Sequence, residues 1–165
     1  MRGRVEGRLR DLGLSLPEHC VPSGNFLPFR MEGHLVFMAG QTCEWNGAIP
    51  YVGPVVADDA PVPDQRPYID LATGKTAARL CALNLLFHLR AACDGDLDRL
   101  QRVVRVGGFV NCLSGFDKSP AVINGASDLF IELWGDAGRH ARTAVGVSGL
   151  PGNASVEVDA IFAIS

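Results

Sequence analysis

The chain has 165 residues, 47% of them hydrophobic and 20% charged, with a formal net charge of −3. This composition predicts one globular domain over residues 1–165 and excludes a disordered chain. No apolar run approaches the ~20 residues of a membrane span, and the negative charge argues against nucleic acid as a partner, because nucleic acid usually requires a basic surface.

The cysteines and histidines do not form the pattern of a metal site or a disulfide framework. Five cysteines form an odd set without Cys-x-x-Cys spacing, and the four histidines share no metal-like spacing with them. We therefore expect no metal, and thiols that are reduced and mostly buried. Together with the lack of a signal-peptide pattern, this predicts a cytoplasmic protein.

The first predicted element is a short helix at residues 3–13, within an N-terminal extension at 1–20. Its arginines form a basic cluster that Glu6 and Asp11 interrupt, so a solvated helix face is a better interpretation than a nucleic-acid surface. These arginines are Arg2, Arg4, Arg8 and Arg10.

Two short strands follow at 26–31 and 34–39, and the turn between them predicts a hairpin. Gly40 comes directly after the second strand, at a point where the backbone needs an unusual conformation or a close approach. The stretch 44–70 is rich in proline and glycine and has little periodicity. We predict a long ordered loop there, with room for one short strand.

The middle of the chain alternates helices with a strand. Helical spacing of apolar residues predicts a long helix at 74–93 and a second helix at 120–134. Ser119 is the expected N-cap of the second helix, and Gly135 is its expected C-cap. Between the two helices, the segment 102–112 is rich in β-branched residues and predicts a strand.

The segment 140–164 predicts two final strands separated by a Leu-Pro-Gly-Asn turn. Alternation places Arg142 among small residues on one face of the first strand, which leaves room for a carboxylate above its guanidinium. In a simple hairpin, Arg142 and Glu157 would lie ~16 Å apart along the strands. The strands are therefore either not directly paired, or the two side chains meet across an interface.

The resulting β-β-α-β-α-β-β order predicts an α+β fold, in which one mixed sheet carries both helices on one face. The other face would expose valine and isoleucine beside Glu157 and Asp159. Self-association is therefore the expected way to cover that face.

The C-terminal strands resemble the YjgF/RidA-type family of reactive-intermediate deaminases, whose members are often labelled endoribonuclease L-PSP. The resemblance extends over about residues 20–164. The matching residues are Ala141-Arg142, Val145, Val147, Leu150-Pro151, Val156-Glu157-Val158 and Ala160-Ile161, with Phe116 and Asn124 upstream.

This resemblance implies a chorismate-mutase-like fold and a homotrimer with ligand sites in clefts between subunits, without a metal or organic cofactor. It implies that Arg142 holds the carboxylate of a 2-imino or 2-enamino acid, and that Glu157 positions or activates the water that attacks the imine carbon. The products would be ammonia and a 2-keto acid. Asn124 would line the cleft, and backbone groups near Gly40 and Ala144 would face this small carboxylate-bearing substrate.

The chain also departs from the family pattern, which indicates a separate subgroup. Phe26 stands in the region of a family tyrosine and is the remaining substrate-binding candidate, while Ala39 and Ala144 replace a serine and a cysteine. The loop at 44–70 is longer than in compact members, which predicts a different or larger ligand beside its aromatic residues. These residues are Trp45, Tyr51 and Tyr68.

Two other functions stay open. The first is a non-catalytic module of the same fold that binds a carboxylate metabolite in the same cleft. The second is an endoribonuclease, which rests on the family label alone. The acidic charge and the lack of a basic groove argue against RNA as a substrate.

Overall fold

The computed structural model describes residues 3–165, so Arg2 and the first residue of the predicted extension lie outside the described residues. In this part of the chain every predicted helix and strand is present, and the loop at 44–70 contains isolated bridges in place of a strand. The elements are α1 (Arg4–Asp11), β1 (Phe29–Glu32), β2 (Leu35–Thr42), α2 (Leu71–Ala92), β3 (Leu100–Asn111), α3 (Ser119–Trp134), β4 (Ala141–Val147) and β5 (Val156–Ile164).

The strands form one mixed sheet in the order β1-β2-β5-β3-β4. β3 and β4 run parallel and are joined by α3, while every other neighbouring pair is antiparallel. Two parallel strands cannot be joined by a tight turn, because the chain must first return to the end of the sheet where the first strand began. The α3 helix forms this crossover connection. β3 therefore lies between β4 and β5, and the two C-terminal strands do not form a hairpin.

Both long helices pack on the same face of the sheet, α2 over β2 and β5, and α3 over β3 and β4. This confirms the predicted α+β fold with two helices on one face. The core fills the space between the sheet and the helices, and its largest fully buried side chains include Phe130, Phe162, Leu85 and Leu86. Among residues 3–165, no helix has both the length and the apolarity needed to span a bilayer.

No described helix packs on the opposite face of the sheet, which we call the open face. Phe37 and Val145 lie on it and are 42% and 41% exposed. Glu157 and Asp159 project from the central strand of the same face. The open face therefore combines exposed apolar side chains with two carboxylates, as expected from the sequence.

α1 is a third helix that docks against α3 through Val5 and Leu9, both buried. Its described arginines, Arg4, Arg8 and Arg10, are exposed, as expected of a solvated helix face. The backbone N–H of Arg4 donates to the Asp98 carboxylate at 2.8 Å, and the Arg8 guanidinium donates to the carbonyl of Leu133. These contacts attach the N-terminal helix to the domain.

The ends of the two long helices follow capping chemistry, with two differences from the predicted positions. α2 begins earlier than expected because Asp70 caps it, accepting from the backbone N–H of Thr73 at 2.7 Å. The predicted N-cap at Ser119 is wrong by one residue, since Ser119 is already helical and buried, and Lys118 occupies the cap position. Gly135 is the C-cap as predicted, with φ of 61°.

Close packing holds α3 against both α2 and the sheet. A Cβ at Gly125 would overlap the backbone carbonyl of Lys75 on α2, and one at Gly108 on β3 would overlap the side chain of Ile123. Glycine at these two points lets the helix approach its neighbours on both sides. The placement of the polar residues that α3 presents to β4 depends on this approach.

Replacing Gly125 by Ala should lower the free energy of unfolding by about 2 kcal/mol. Alanine alone would favour the helix by about 1 kcal/mol. The overlap with a main-chain carbonyl outweighs this gain, because only movement of a whole helix relieves it. Urea denaturation measures the change, with Asp128→Ala on the exposed side of α3 as the matched control. An unchanged or higher stability of Gly125→Ala would contradict this packing.

Candidate functional site

The predicted site residues fall into two groups on opposite faces of the sheet. Arg142 lies opposite Val106, which in turn lies opposite Ala160, and directly paired residues project to the same side. Val106 and Ala160 are buried under the helices, so Arg142 also projects toward the helices. Glu157 is paired with Phe109 and projects from the open face. Within one chain, the sheet itself separates Arg142 from Glu157.

The guanidinium of Arg142 lies against α3, held by three neutral acceptors. Nη1 donates to Asn124 Oδ1 at 2.8 Å and to Ser127 Oγ at 3.0 Å, and Nη2 donates to the carbonyl of Pro120 at 3.2 Å. Among residues 3–165, no carboxylate pairs with this cation and no acceptor binds Nε. An oriented guanidinium with free donors and no counterion is suited to binding a planar anion.

The expected open space above Arg142 is therefore partly occupied by α3, and what remains is a pocket at the sheet edge. This pocket has a volume of about 200 Å³ and is lined by Ile131, Arg139 and His140 together with Arg142. Ala144, two residues along the strand, projects to the same side and packs against the core. Asn124 and Ala144 thus group with Arg142, as predicted substrate-binding residues that lie apart from Glu157.

Ser127 and His140 also contact one another beside Arg142, and the sequence analysis names neither as a site residue. The Ser127 hydroxyl lies 2.9 Å from His140 Nε2, and His140 Nδ1 lies 2.7 Å from the carbonyl oxygen of Gly138. Spacing could have found both residues, because Ser127 is one helical turn after Asn124 and His140 is two strand positions before Arg142.

Glu157 belongs to a second cavity, of about 180 Å³, at the edge of the open face. Two other predicted residues, Gly40 and Phe26, line this cavity with it. Burial raises the pKa of the Glu157 carboxyl, and the negative charge of Asp159 raises it further. A carboxyl group with a raised pKa can exchange protons closer to neutral pH, as a general base or acid requires.

Gly40 allows the Glu157 carboxylate to lie flat on the backbone of β2. The pairing of β2 with β5 is irregular between Met38 and Gln41, so Gly40 sits in a bulge. A Cβ at position 40 would occupy the place of the Glu157 carboxylate. The close approach expected at Gly40 is therefore present, and the group that approaches is the predicted catalytic glutamate.

The aromatic residues predicted to form a ligand wall lie outside these two cavities, and their role at a ligand stays a prediction. Neither the Arg142 pocket nor the Glu157 cavity is lined by Trp45, Tyr51 or Tyr68. Trp45 and Tyr51 pack against the hydrophobic core, and Tyr68 donates to Asp64 at 3.0 Å. Their rings are engaged by the domain, and Glu44 at the start of the loop lines the Glu157 cavity instead.

Metal-ligating side chains are scattered through the described structure. In residues 3–165, no three His, Cys, Asp or Glu side chains come together as a metal site requires. All five cysteines are free thiols, and Cys43, Cys81 and Cys93 are buried. The polar groups described at the two sites include the Arg142 guanidinium, the Glu157 carboxyl, the Ser127 hydroxyl and the His140 imidazole.

Comparisons with known proteins place the chain in a family. Residues 6–163 match the family described as "YjgF/chorismate mutase-like, putative endoribonuclease". The chain is 37% identical over 164 residues to a Trypanosoma cruzi protein named TCP17, covering 99% of this chain and 96% of that protein. It is 41% identical to the crystal structure of Atu1372, a protein of unknown function from Agrobacterium tumefaciens, with a TM-score of 0.84 and coverage of 98% and 93%.

A more distant structure shares the fold and holds a ligand. TdcF from E. coli, solved with bound serine, is 20% identical to this chain and superimposes with a TM-score of 0.55. The match covers 91% of this chain and 94% of TdcF. At this identity the likeness shows the fold alone.

Replacing Gly40 by Ala should move the Glu157 carboxyl into solvent and return its pKa toward the ordinary value, because the new Cβ takes its place. The cost in stability should stay below about 1 kcal/mol, since the displaced group ends a flexible side chain. Carboxyl carbon NMR across a pH titration measures the pKa. Gly149→Ala, whose Cβ would meet no atom within 4 Å, is the control. An unchanged pKa of Glu157 in Gly40→Ala would show that this contact does not position the carboxyl.

Proposed function

The chain belongs to the YjgF/chorismate mutase-like family, and we propose that it hydrolyses 2-imino or 2-enamino acids to 2-keto acids and ammonia, in a cleft between subunits of a homotrimer. The observation that carries this proposal is the Arg142 guanidinium, oriented by three neutral acceptors and without a carboxylate partner in residues 3–165. Such a cation attracts a carboxylate in bidentate geometry. The serine bound by the related TdcF fold supports a small carboxylate-bearing ligand.

The opposite placement of Arg142 and Glu157 supports a cleft between subunits. One small acid cannot touch both side chains in the same chain, because the sheet lies between them. β4 is an edge strand, and the open face carries exposed Phe37 and Val145. If the β4 edge of one copy meets the open face of the next, a closed ring covers the apolar side chains and joins each Arg142 to a neighbouring Glu157.

The proposed reaction needs an anchor, a base and a confined water. Arg142 holds the substrate carboxylate, and Asn124 keeps the guanidinium in place through Oδ1 while its amide N–H groups remain for the ligand. Glu157 of the neighbouring subunit takes a proton from water, whose oxygen attacks the imine carbon. The proton then passes to the imine nitrogen, which gives a tetrahedral intermediate with one amino and one hydroxyl group. Glu157 next carries the hydroxyl proton to the amino nitrogen, so that the C–N bond breaks, ammonia leaves, and the carbonyl of the 2-keto acid forms. Gly40 and Phe26 form the wall around the attacking water.

A carboxylate-binding module without turnover is the alternative, and one observation favours it. The wall beside Glu157 contains the phenyl ring of Phe26, which has no hydroxyl to bind a water or a substrate.

RNA cleavage is not proposed, because the net charge of −3 opposes binding of a polyanion. Five free thiols fit a reducing compartment, so we place the protein in the cytoplasm.

Replacing Arg142 by Ala should lower turnover of imines at least about a hundredfold, because two charge-assisted hydrogen bonds to the substrate are lost. The imines are generated in the assay by an amino-acid oxidase, and ammonia release is measured for several amino acids. Arg142→Lys should restore little, since an ammonium lacks the bidentate fork. Arg102→Ala, an exposed arginine on β3, is the matched control.

Unchanged hydrolysis by Arg142→Ala would end the proposal. Thermal stabilisation of the wild-type protein by 2-keto acids, without any imine turnover, would select the binding module instead.

Mixing two inactive variants tests the intersubunit cleft directly. Arg142→Ala and Glu157→Gln chains, co-expressed in equal amounts, form rings in which some clefts contain both native side chains. With random assembly, about a quarter of the clefts are complete, so about a quarter of the wild-type activity should return. Each variant expressed alone serves as the control. If the mixture is as inactive as the separate variants, the two residues do not share a cleft between subunits.

A further inference from the structure

A continuous series of hydrogen bonds runs behind the Arg142 guanidinium. His140 Nδ1 lies 2.7 Å from the Gly138 carbonyl oxygen, which can only accept, so Nδ1 carries a hydrogen. A neutral imidazole then has its lone pair on Nε2, 2.9 Å from the Ser127 hydroxyl. Ser127 donates its single hydrogen to His140 and accepts from Arg142 Nη1 at 3.0 Å.

All donors in this series point in one direction, from Arg142 toward Gly138, and aligned hydrogen bonds strengthen one another. Because the Ser127 hydrogen is committed to His140, an oxygen lone pair is turned toward Arg142. Building on the function proposed above, we propose that His140 is a positioning residue. Acting through Ser127, it sets the Arg142 guanidinium for a substrate carboxylate, and protonation of the imidazole releases that guanidinium.

Protonation of His140 prevents the Ser127 hydroxyl from donating to Nε2. Nε2 becomes a donor, so the Ser127 hydrogen must turn elsewhere, and a second positive charge stands one hydroxyl away from Arg142. Burial lowers the pKa of His140, the hydrogen bond to Gly138 opposes this, and the charge of Arg142 adds to the lowering. The folded protein therefore holds the ring neutral at neutral pH. The free energy of unfolding falls as the pH drops below the ordinary pKa of histidine, because the unfolded chain then binds more protons than the folded protein does.

No negatively charged group contacts the His140 imidazole in the described chain, so its protonated form has no counterion there. From α3 it meets Ser127 and the ring of Phe130, at a centroid distance of 6.0 Å, and neither titrates near neutral pH. The preceding Arg139 pairs with Asp136, and Arg105 on β3 projects to the open face. Across the described chain, no carboxylate hydrogen-bonds to the imidazole.

The first test uses the wild-type protein without ligand and needs no variant. NMR follows the His140 ring nitrogens and the Arg142 Nη hydrogens from about pH 8 to about pH 5. The Nη1 signal should be sharp and protected at high pH and should be lost at the midpoint of the His140 titration. An Nη1 signal that persists through that titration would overturn the inference, and so would a ring that never titrates in this range.

The second test measures the affinity for pyruvate, a small 2-keto acid, over the same pH range. Wild-type affinity should fall about tenfold toward low pH. His140→Gln retains an acceptor for Ser127 but does not titrate, so its affinity for pyruvate should be independent of pH. His34→Gln, at an exposed histidine, should keep the wild-type profile.

The two tests separate this inference from the proposed function. If the NMR signals are coupled but pyruvate binds at no pH, the carboxylate-hydrolase proposal fails and the link between His140 and Arg142 stands. If pyruvate binds equally at both ends of the range, or His140→Gln keeps the pH dependence, the inference fails and the proposed function stands.

Discussion

The parallel pairing of β4 with β3 is the constraint on which the rest of the site depends. It requires α3 as a crossover, and the helix then lies directly over the edge strand that carries Arg142. Glycines at 108 and 125 let the helix descend far enough for its polar residues to reach the guanidinium. The same pairing inserts β3 between the two C-terminal strands, so Arg142 and Glu157 belong to different faces. The fold thus places the two candidate groups on opposite faces of the sheet.

Much of the fold could be predicted from local patterns, since each helix and strand shows its own periodicity. The pairing of strands could not, because alternation determines which residues share a face and leaves open which side of the sheet that face occupies. Arg142 and Glu157 look alike in this respect, as single charges among small or apolar residues. The paired residues on the neighbouring strand show which face each side chain occupies. Arg142 pairs with the buried Val106, and Glu157 pairs with Phe109 on the open face.

The candidate site was predictable to the extent that the family resemblance named Arg142, Glu157 and Asn124. Its supporting residues could be found only through their spacing from Asn124 and Arg142, because a serine in a helix and a histidine at a strand end are ordinary when taken singly. Their contact depends on the short turn at residues 135–138, which presents a carbonyl to the imidazole and fixes its tautomer. The aromatic residues of the loop show how little size alone reveals about a role. Their size favours a ligand wall, while two of the three rings pack against the core of the domain.

The Glu157 carboxylate occupies the space that a Cβ at position 40 would need. The residues allowed at positions 40 and 157 therefore depend on each other. A chain of this family that gains a side chain at position 40 must shorten or redirect the residue at 157, because the two compete for the same space. Glycine at 40 together with glutamate at 157 is therefore the combination that lets the carboxyl lie against the backbone of β2. Any redesign of this pocket therefore changes the position of the Glu157 carboxyl when it adds a side chain at position 40.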